Sequence, residues 1–170
     1  MKRMLAVSTQ NGFSLVELMI VITILSILLM MGTALTRSWI DRSQVNNAVA
    51  NFKIAVNQAK VAALRNTYNQ NLDAAAVHLC LDTEKQKLNI IRPSTSTTQT
   101  CNLNISSNHL LQSIDLAKGI YIHQANQSFQ CLSFNAAGLV ISDSAHHCAD
   151  QDELTFKVGK NDETADLTLM

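Results

Sequence analysis

Apolar and polar positions divide the chain into three stretches of different period. From Phe13 to Leu35 lie 23 residues in which Glu17 is the only charge, close to the roughly 20 residues that a membrane-spanning helix needs. Next, Val45, Val49, Phe52, Val56, Ala59 and Ala63 recur at alternating steps of four and three, the spacing of one apolar stripe on a helix. No proline or glycine interrupts Thr33 to Gln70. One helix is therefore predicted from near Phe13 to near Thr67, roughly 80 Å long at 1.5 Å per residue. Beyond Asn71 the period shortens. Ala75–Leu81, Lys87–Arg92, Gly119–Gln124, Phe129–Phe134, Gly138–Ser142 and Glu153–Val158 are short runs separated by polar clusters, which predicts an antiparallel sheet. Pro93–Ser107, rich in Ser, Thr and Asn, reads as a surface loop, and the FNAAG stretch ending at Gly138 as a hairpin connection. The predicted fold class is α+β, a long N-terminal helix packed on an antiparallel β-sheet domain.

Ahead of the apolar run stand twelve residues, MKRMLAVSTQNG, whose only charges are Lys2 and Arg3. A secretory signal has an apolar core of about 7 to 15 residues and a small-residue cleavage site after it. Here the run is longer and the small residue, Gly12, precedes it, so a cut would fall on the leader side and leave the helix attached. This arrangement, Gly12, Phe13, then SLVE with Glu17 fifth after the glycine, then an unbroken apolar stretch, resembles the prepilin motif of type IV pilins and type II secretion pseudopilins. The resemblance implies cleavage between Gly12 and Phe13 by a prepilin peptidase and N-methylation of Phe13. It also implies an assembly role for Glu17, opposite the free amine of a neighbouring subunit. An acidic group at the centre of a membrane helix costs about 2.5 to 3.5 kcal/mol on insertion scales, whereas one near the end of the span can snorkel to the interface.

The segments implied are a leader over 1–12, a transmembrane and filament-core helix over 13–35, its amphipathic continuation over 36–70, and a periplasmic β-rich part over 71–170. Gly32 is the one flexible point in the helix, and the helix-kinking proline frequent in major pilins is absent, Pro93 being the only proline. The stretch NFKIAVNQAKVAALRNTYNQN, followed by a strand ending HLCL, and the later FNAAGLV are similar to the GspH/FimT class. That class implies a minor pilin that helps initiate or cap a type IV pilus in pilus assembly, twitching motility or DNA uptake, or alternatively a tip subunit of the type II secretion pseudopilus. The implied partners are other major and minor pilins or pseudopilins, the prepilin peptidase and an inner-membrane assembly platform. The implied location is the bacterial inner membrane, crossed once, with the C-terminal part in the periplasm.

Charge refines this reading. The 13 basic and 13 acidic side chains balance, and removal of Lys2 and Arg3 with the leader leaves a net of −2. Thr36–Gln70 holds Arg37, Arg42, Lys53, Lys60 and Arg65 against Asp41, whereas Asp143–Met170 holds seven acids against Lys157 and Lys160. Complementary patches of this kind can orient neighbouring subunits; ordinary solvated faces have the same composition. Some FimT-like proteins bind DNA through a basic C-terminal motif, but here the end, KNDETADLTLM, is acidic. DNA affinity depends on neutralising phosphates, so DNA is a disfavoured partner; the helix residues Lys53, Lys60 and Arg65 are the alternative contact.

Cys80, Cys101, Cys131 and Cys148 all lie where an oxidising compartment is implied, so two disulfides are predicted. Four cysteines allow three connectivities; the pairing expected is the local one, Cys80 with Cys101 and Cys131 with Cys148. His146 and His147 beside Cys148 lack zinc spacing. Asp150, Asp152 and Glu153 lack the spacing of a calcium loop. Neither a nucleophile elbow, a phosphate loop nor a zinc-protease motif is present. No metal, no cofactor and no enzymatic activity are expected.

Overall fold

Ser14-Leu15-Val16-Glu17 has the S-x-x-E form that begins a helix, with a capping hydroxyl and an acid three residues on. The computed structural model describes residues 14–65, 69–93, 101, 109–125, 127–142, 148 and 154–169, with side chains except at 31–35. Helix α1 spans Leu15–Leu64. Its first turn closes from the Leu18 N–H to the Ser14 carbonyl at 3.1 Å, so Ser14 occupies the N-cap position. Glu17 sits in that first turn, where a negative charge complements the positive end of the helix.

The chain divides into two compact units, Met1–Trp39 and Ile40–Met170. In the first, the large apolar side chains from Leu15 to Met30 are 52% to 81% exposed, so the helix is apolar on every side. Its two hydroxyls turn inward onto the helix: Thr23 Oγ1 donates to the Met19 carbonyl and Ser26 Oγ to the Ile22 carbonyl, both at 2.7 Å. Among the described residues no helix is long and apolar enough to cross a membrane.

In the second unit the helix buries one stripe. Val45, Phe52, Val56, Ala59 and Ala63 are buried, with Val49 partly so. Ala48 and Ala55 join them, widening the stripe beyond the predicted positions. Around it fold β1 (Ala75–Asp82), β2 (Lys87–Ile91), β3 (Leu110–Asp115), β4 (Tyr121–Gln124), β5 (Gln127–Ser128), β6 (Cys131–Asn135), β7 (Val140–Ile141), β8 (Thr155–Lys160) and β9 (Glu163–Thr168). The single sheet expected from sequence is in fact two, ordered β3-β2-β1-β6-β7 and β5-β4-β8-β9, with every pairing antiparallel.

Alternation along the strands assigns the faces. Val77, Leu79, Leu88, Ile90, Leu132 and Phe134 join the core that includes the helix stripe. Cys80, Ile91 and Cys131 form a separate buried cluster, on the opposite face of that sheet. The smaller sheet contributes Ile122, Phe156, Val158 and Leu167 to the main core. There the Phe52 ring meets Phe129 edge-on at 5.4 Å and Phe156 at 5.1 Å between centroids.

Strands β3, β5 and β9 were not predicted, β5 being only the two residues Gln127–Ser128. Strand β3 is an edge strand with mostly exposed residues, so it carries little alternation. In β9 the alternating pattern rests on Ala165 and Leu167 within an acidic run. The FNAAG connection does form a hairpin between β6 and β7. Asn135 Oδ1 accepts from the Ala137 and Leu139 N–H groups, and Gly138 turns back at φ +73°. Of the predicted loop, Pro93 and Cys101 are described and lie outside any strand.

Candidate functional site

Three polar side chains interrupt the apolar first unit between Leu15 and Met30, and two of them satisfy themselves. Once Thr23 and Ser26 have bonded the helix carbonyls behind them, Glu17 is the polar group left over. Among the described residues nothing hydrogen-bonds or pairs with its carboxylate. The site is therefore a lone acid on an otherwise apolar helix surface, one turn from the helix start. Gly12 and Phe13, the predicted processing pair, lie outside the described residues. Glu17 stands at the N3 position after the N-cap Ser14, the S-x-x-E spacing of a capping box, but its carboxylate makes no capping bond among the described residues; what it contributes to the helix start is a negative charge in the first turn.

A second cluster ties the chain's late hairpin to the helix. Lys160 Nζ lies 3.3 Å from Asp41 Oδ1 and 2.5 Å from Gln44 Oε1, and Asn161 Nδ2 donates to Asp41 Oδ2 at 2.7 Å. The Asn161 hydrogen bond holds the Asp41 carboxyl below its ordinary value; desolvation opposes it, and the hydrogen bond and charge of Lys160 add to the lowering. Asp41 is the one acid of the basic stretch 36–70, and Lys160 is one of two lysines in the acidic stretch 143–170. Each region's minority charge is thus spent on the other, which sharpens the charge asymmetry that composition alone gives.

The proposed nucleic-acid contacts do not form one patch. Lys53 and Lys60, seven residues apart, share a helix face, but Arg65 lies about 140° further round at 100° per residue. Arg65 instead lines a groove with Arg92 and Gln58, while Lys60 lines another with Gly138 and Leu139.

The outer face of the larger sheet carries the cysteines. Cys80 and Cys131 sit directly opposite one another on β1 and β6, yet each is bonded elsewhere: Cys80 to Cys101, and Cys131 to Cys148. On the same face His78 and Ser133, also register partners and both buried, share a hydrogen bond of 2.9 Å between Nδ1 and Oγ. His146, His147, Asp150, Asp152 and Glu153, weighed above for metal binding, lie outside the described residues. Among the described residues no three His, Cys, Asp or Glu side chains converge to hold a metal ion.

Residues 7–33 match the prokaryotic N-terminal methylation motif. No curated protein and no solved structure matches the chain. The matched stretch contains Gly12, Phe13, Glu17 and most of the apolar run. It is a type IV pilin-like prepilin signal and supports a type IV pilin or pseudopilin, a structural subunit rather than an enzyme. It implies processing by a prepilin peptidase, membrane anchoring, and assembly with other pilins.

Proposed function

We propose that the chain is a minor pilin of the GspH/FimT type, which helps to initiate or cap a type IV pilus. In this reading the leader 1–12 is removed between Gly12 and Phe13, and Phe13 is methylated. Residues 13–35 anchor the subunit in the inner membrane and then enter the filament core, 36–70 continue the helix, and 71–170 stand in the periplasm. The observation that carries the reading is Glu17, an acid with no described partner on a helix apolar all round, inside the stretch that matches the methylation motif. In a low-dielectric filament core a carboxylate needs a partner or a proton, and the amine of a neighbouring Phe13 supplies a cation.

Mass analysis of the N-terminal peptide from membrane fractions tests processing. A peptide starting at methylated Phe13 is the expected result, and one starting at Met1 in mature protein contradicts the proposal. Assembly is tested with Glu17→Gln beside Glu17→Ala. Glu17→Gln keeps the size of the side chain and removes only the charge. Both variants are expected to insert and be cleaved yet fail to enter filaments. Normal incorporation of Glu17→Gln would show that assembly does not use the charge.

A further inference from the structure

Helix α1 and edge strand β3 border a groove of about 400 Å³, lined by Gln58, Val61, Ala62 and Arg65 from the helix, Leu111 from β3, and Arg92 just after β2. Four features of this groove constrain what fits it. Val61, Ala62 and Leu111 form an aliphatic wall. Arg65 is exposed and Arg92 half-buried, and among the described lining residues there is no acid, so the groove is cationic. Gln58 Oε1 is buried and accepts no hydrogen bond from any described residue, a loss of about 1–3 kcal/mol for a desolvated acceptor. Strand β3 is the outermost strand of the larger sheet, and such an edge leaves main-chain donors and acceptors open for another strand.

We propose that this groove is a docking site for an extended segment of a partner polypeptide that carries an acidic residue two positions from an aliphatic one, so that both face the groove, and adds as a strand to β3. Each feature has its counterpart in that one ligand. The main chain continues the ladder at β3 and offers an N–H to Gln58 Oε1. The carboxylate meets Arg65, where a charge-assisted bond forms, and the aliphatic side chain covers Val61, Ala62 and Leu111. A lipid headgroup would answer the arginines and leave the strand edge and Gln58 unanswered. A peptide laid between a strand edge and a helix is an established mode of recognition, with the ladder giving affinity and the flanking pockets specificity. The inference rests on the second unit alone and stands whether or not the chain enters a pilus.

The experiment uses the full chain, 15N-labelled in detergent micelles. The probes are a panel of acetylated, amidated octapeptides that alternate Leu or Val with Thr and carry one Asp or Glu. The same peptides with Asn or Gln for the acid, and N-methylated versions that cannot form a ladder, serve as controls. The expected result is a set of amide shifts at Val61, Ala62, Leu111 and Gln112 with acidic peptides, roughly tenfold weaker with the amide analogues or in Arg65→Gln, and none with N-methylated peptides. Arg65 is exposed on the helix surface, so its replacement leaves the fold intact. Equal binding of acid and amide, shifts that map away from β3 and the helix, or no shift with any peptide up to roughly 1 mM would overturn the proposal. So would the same shifts arising on concentration of the protein alone, which would assign the groove to contact between copies.

Discussion

Replacing Phe52 with alanine tests the central packing claim, that one stripe of the helix holds the two sheets together. Phe52 is completely buried, and transfer of such a side chain from water is worth about 2–3 kcal/mol. Its ring also meets Phe129 at 5.4 Å and Phe156 at 5.1 Å, each pair contributing about 0.5–1.5 kcal/mol beyond area. Loss of both pairs with the transfer energy amounts to about 4 kcal/mol, within the roughly 3–5 kcal/mol seen for buried Phe→Ala. The Phe129–Phe156 contact at 5.5 Å does not involve Phe52 and is not removed by the substitution. The assay is amide hydrogen exchange of the full chain in micelles, followed at the most protected positions of β1 and β6, where exchange reports the opening free energy. Exchange there is expected to accelerate roughly a thousandfold, at about 1.4 kcal/mol per factor of ten. Ile54, two residues on and 48% exposed, is the control; Ile54→Ala is expected to change opening by no more than about 0.5 kcal/mol. A Phe52→Ala effect below about tenfold, or equal effects at the two positions, would refute the assigned face.

The Asp41 cluster predicts an acid dependence. A carboxyl held below its ordinary value of 3.8 adds stability that is present above that value and disappears as pH falls through the lower folded value. Asp41→Asn is therefore expected to be less stable than the parent near neutrality and to lose part of the melting-temperature decline between roughly pH 5 and pH 2; parallel curves for the two proteins would count against it. Reduction of the disulfides, which close sequence separations of 21 and 17 residues, should lower stability by about 3 kcal/mol per bridge in the chain-entropy model. Thermal melts with and without reductant measure this, and recovery of four free thiols from protein isolated without reductant would contradict the bridges. Gly138→Ala places a Cβ at φ +73°, 3.5 Å from Leu64, and is expected to cost about 1–2 kcal/mol through the left-handed backbone alone, visible as a lower melting temperature.

What the sequence reveals follows from how strongly each element depends on its own residues. The helix is legible because a buried stripe repeats over several turns, and the central strands because both of their faces are covered. Edge strand β3 needs no such pattern: its hydrogen bonds to β2 place it, and only Leu111 and Ile114 of its side chains pack on the core. Division into two sheets is likewise hidden, since residues such as Phe129 and Phe156 look like any core position until Phe52 is seen between them. The site divides similarly. Glu17 stands out as a charge in an apolar run, whereas the pairing of Asp41 with Lys160 joins residues 119 positions apart and leaves no local signal. The two arginines of the groove belong to different elements, so neither resembles half of a site in the linear chain.

The two parts of helix α1 obey the same rule with opposite results. From Val45 to Ala63 the apolar residues keep to one side and are covered by sheets from the same chain. From Leu15 to Met30 they occupy every side and remain exposed. A helix apolar all round is stable only where every side is covered, and within its own unit nothing described covers this one. Lipid would satisfy the leucines and isoleucines, and the hydroxyls of Thr23 and Ser26 are already satisfied by the helix itself. Lipid offers no cation to Glu17, whose charge is costly in hydrocarbon unless its place in the first turn lets it reach the interface. In the proposed assembly, surrounding helices of other subunits would cover the same apolar surface and bring a cation to the carboxylate as well. On that proposal the residue least suited to lipid would favour the filament core, and the difference would drive the subunit from membrane to assembly.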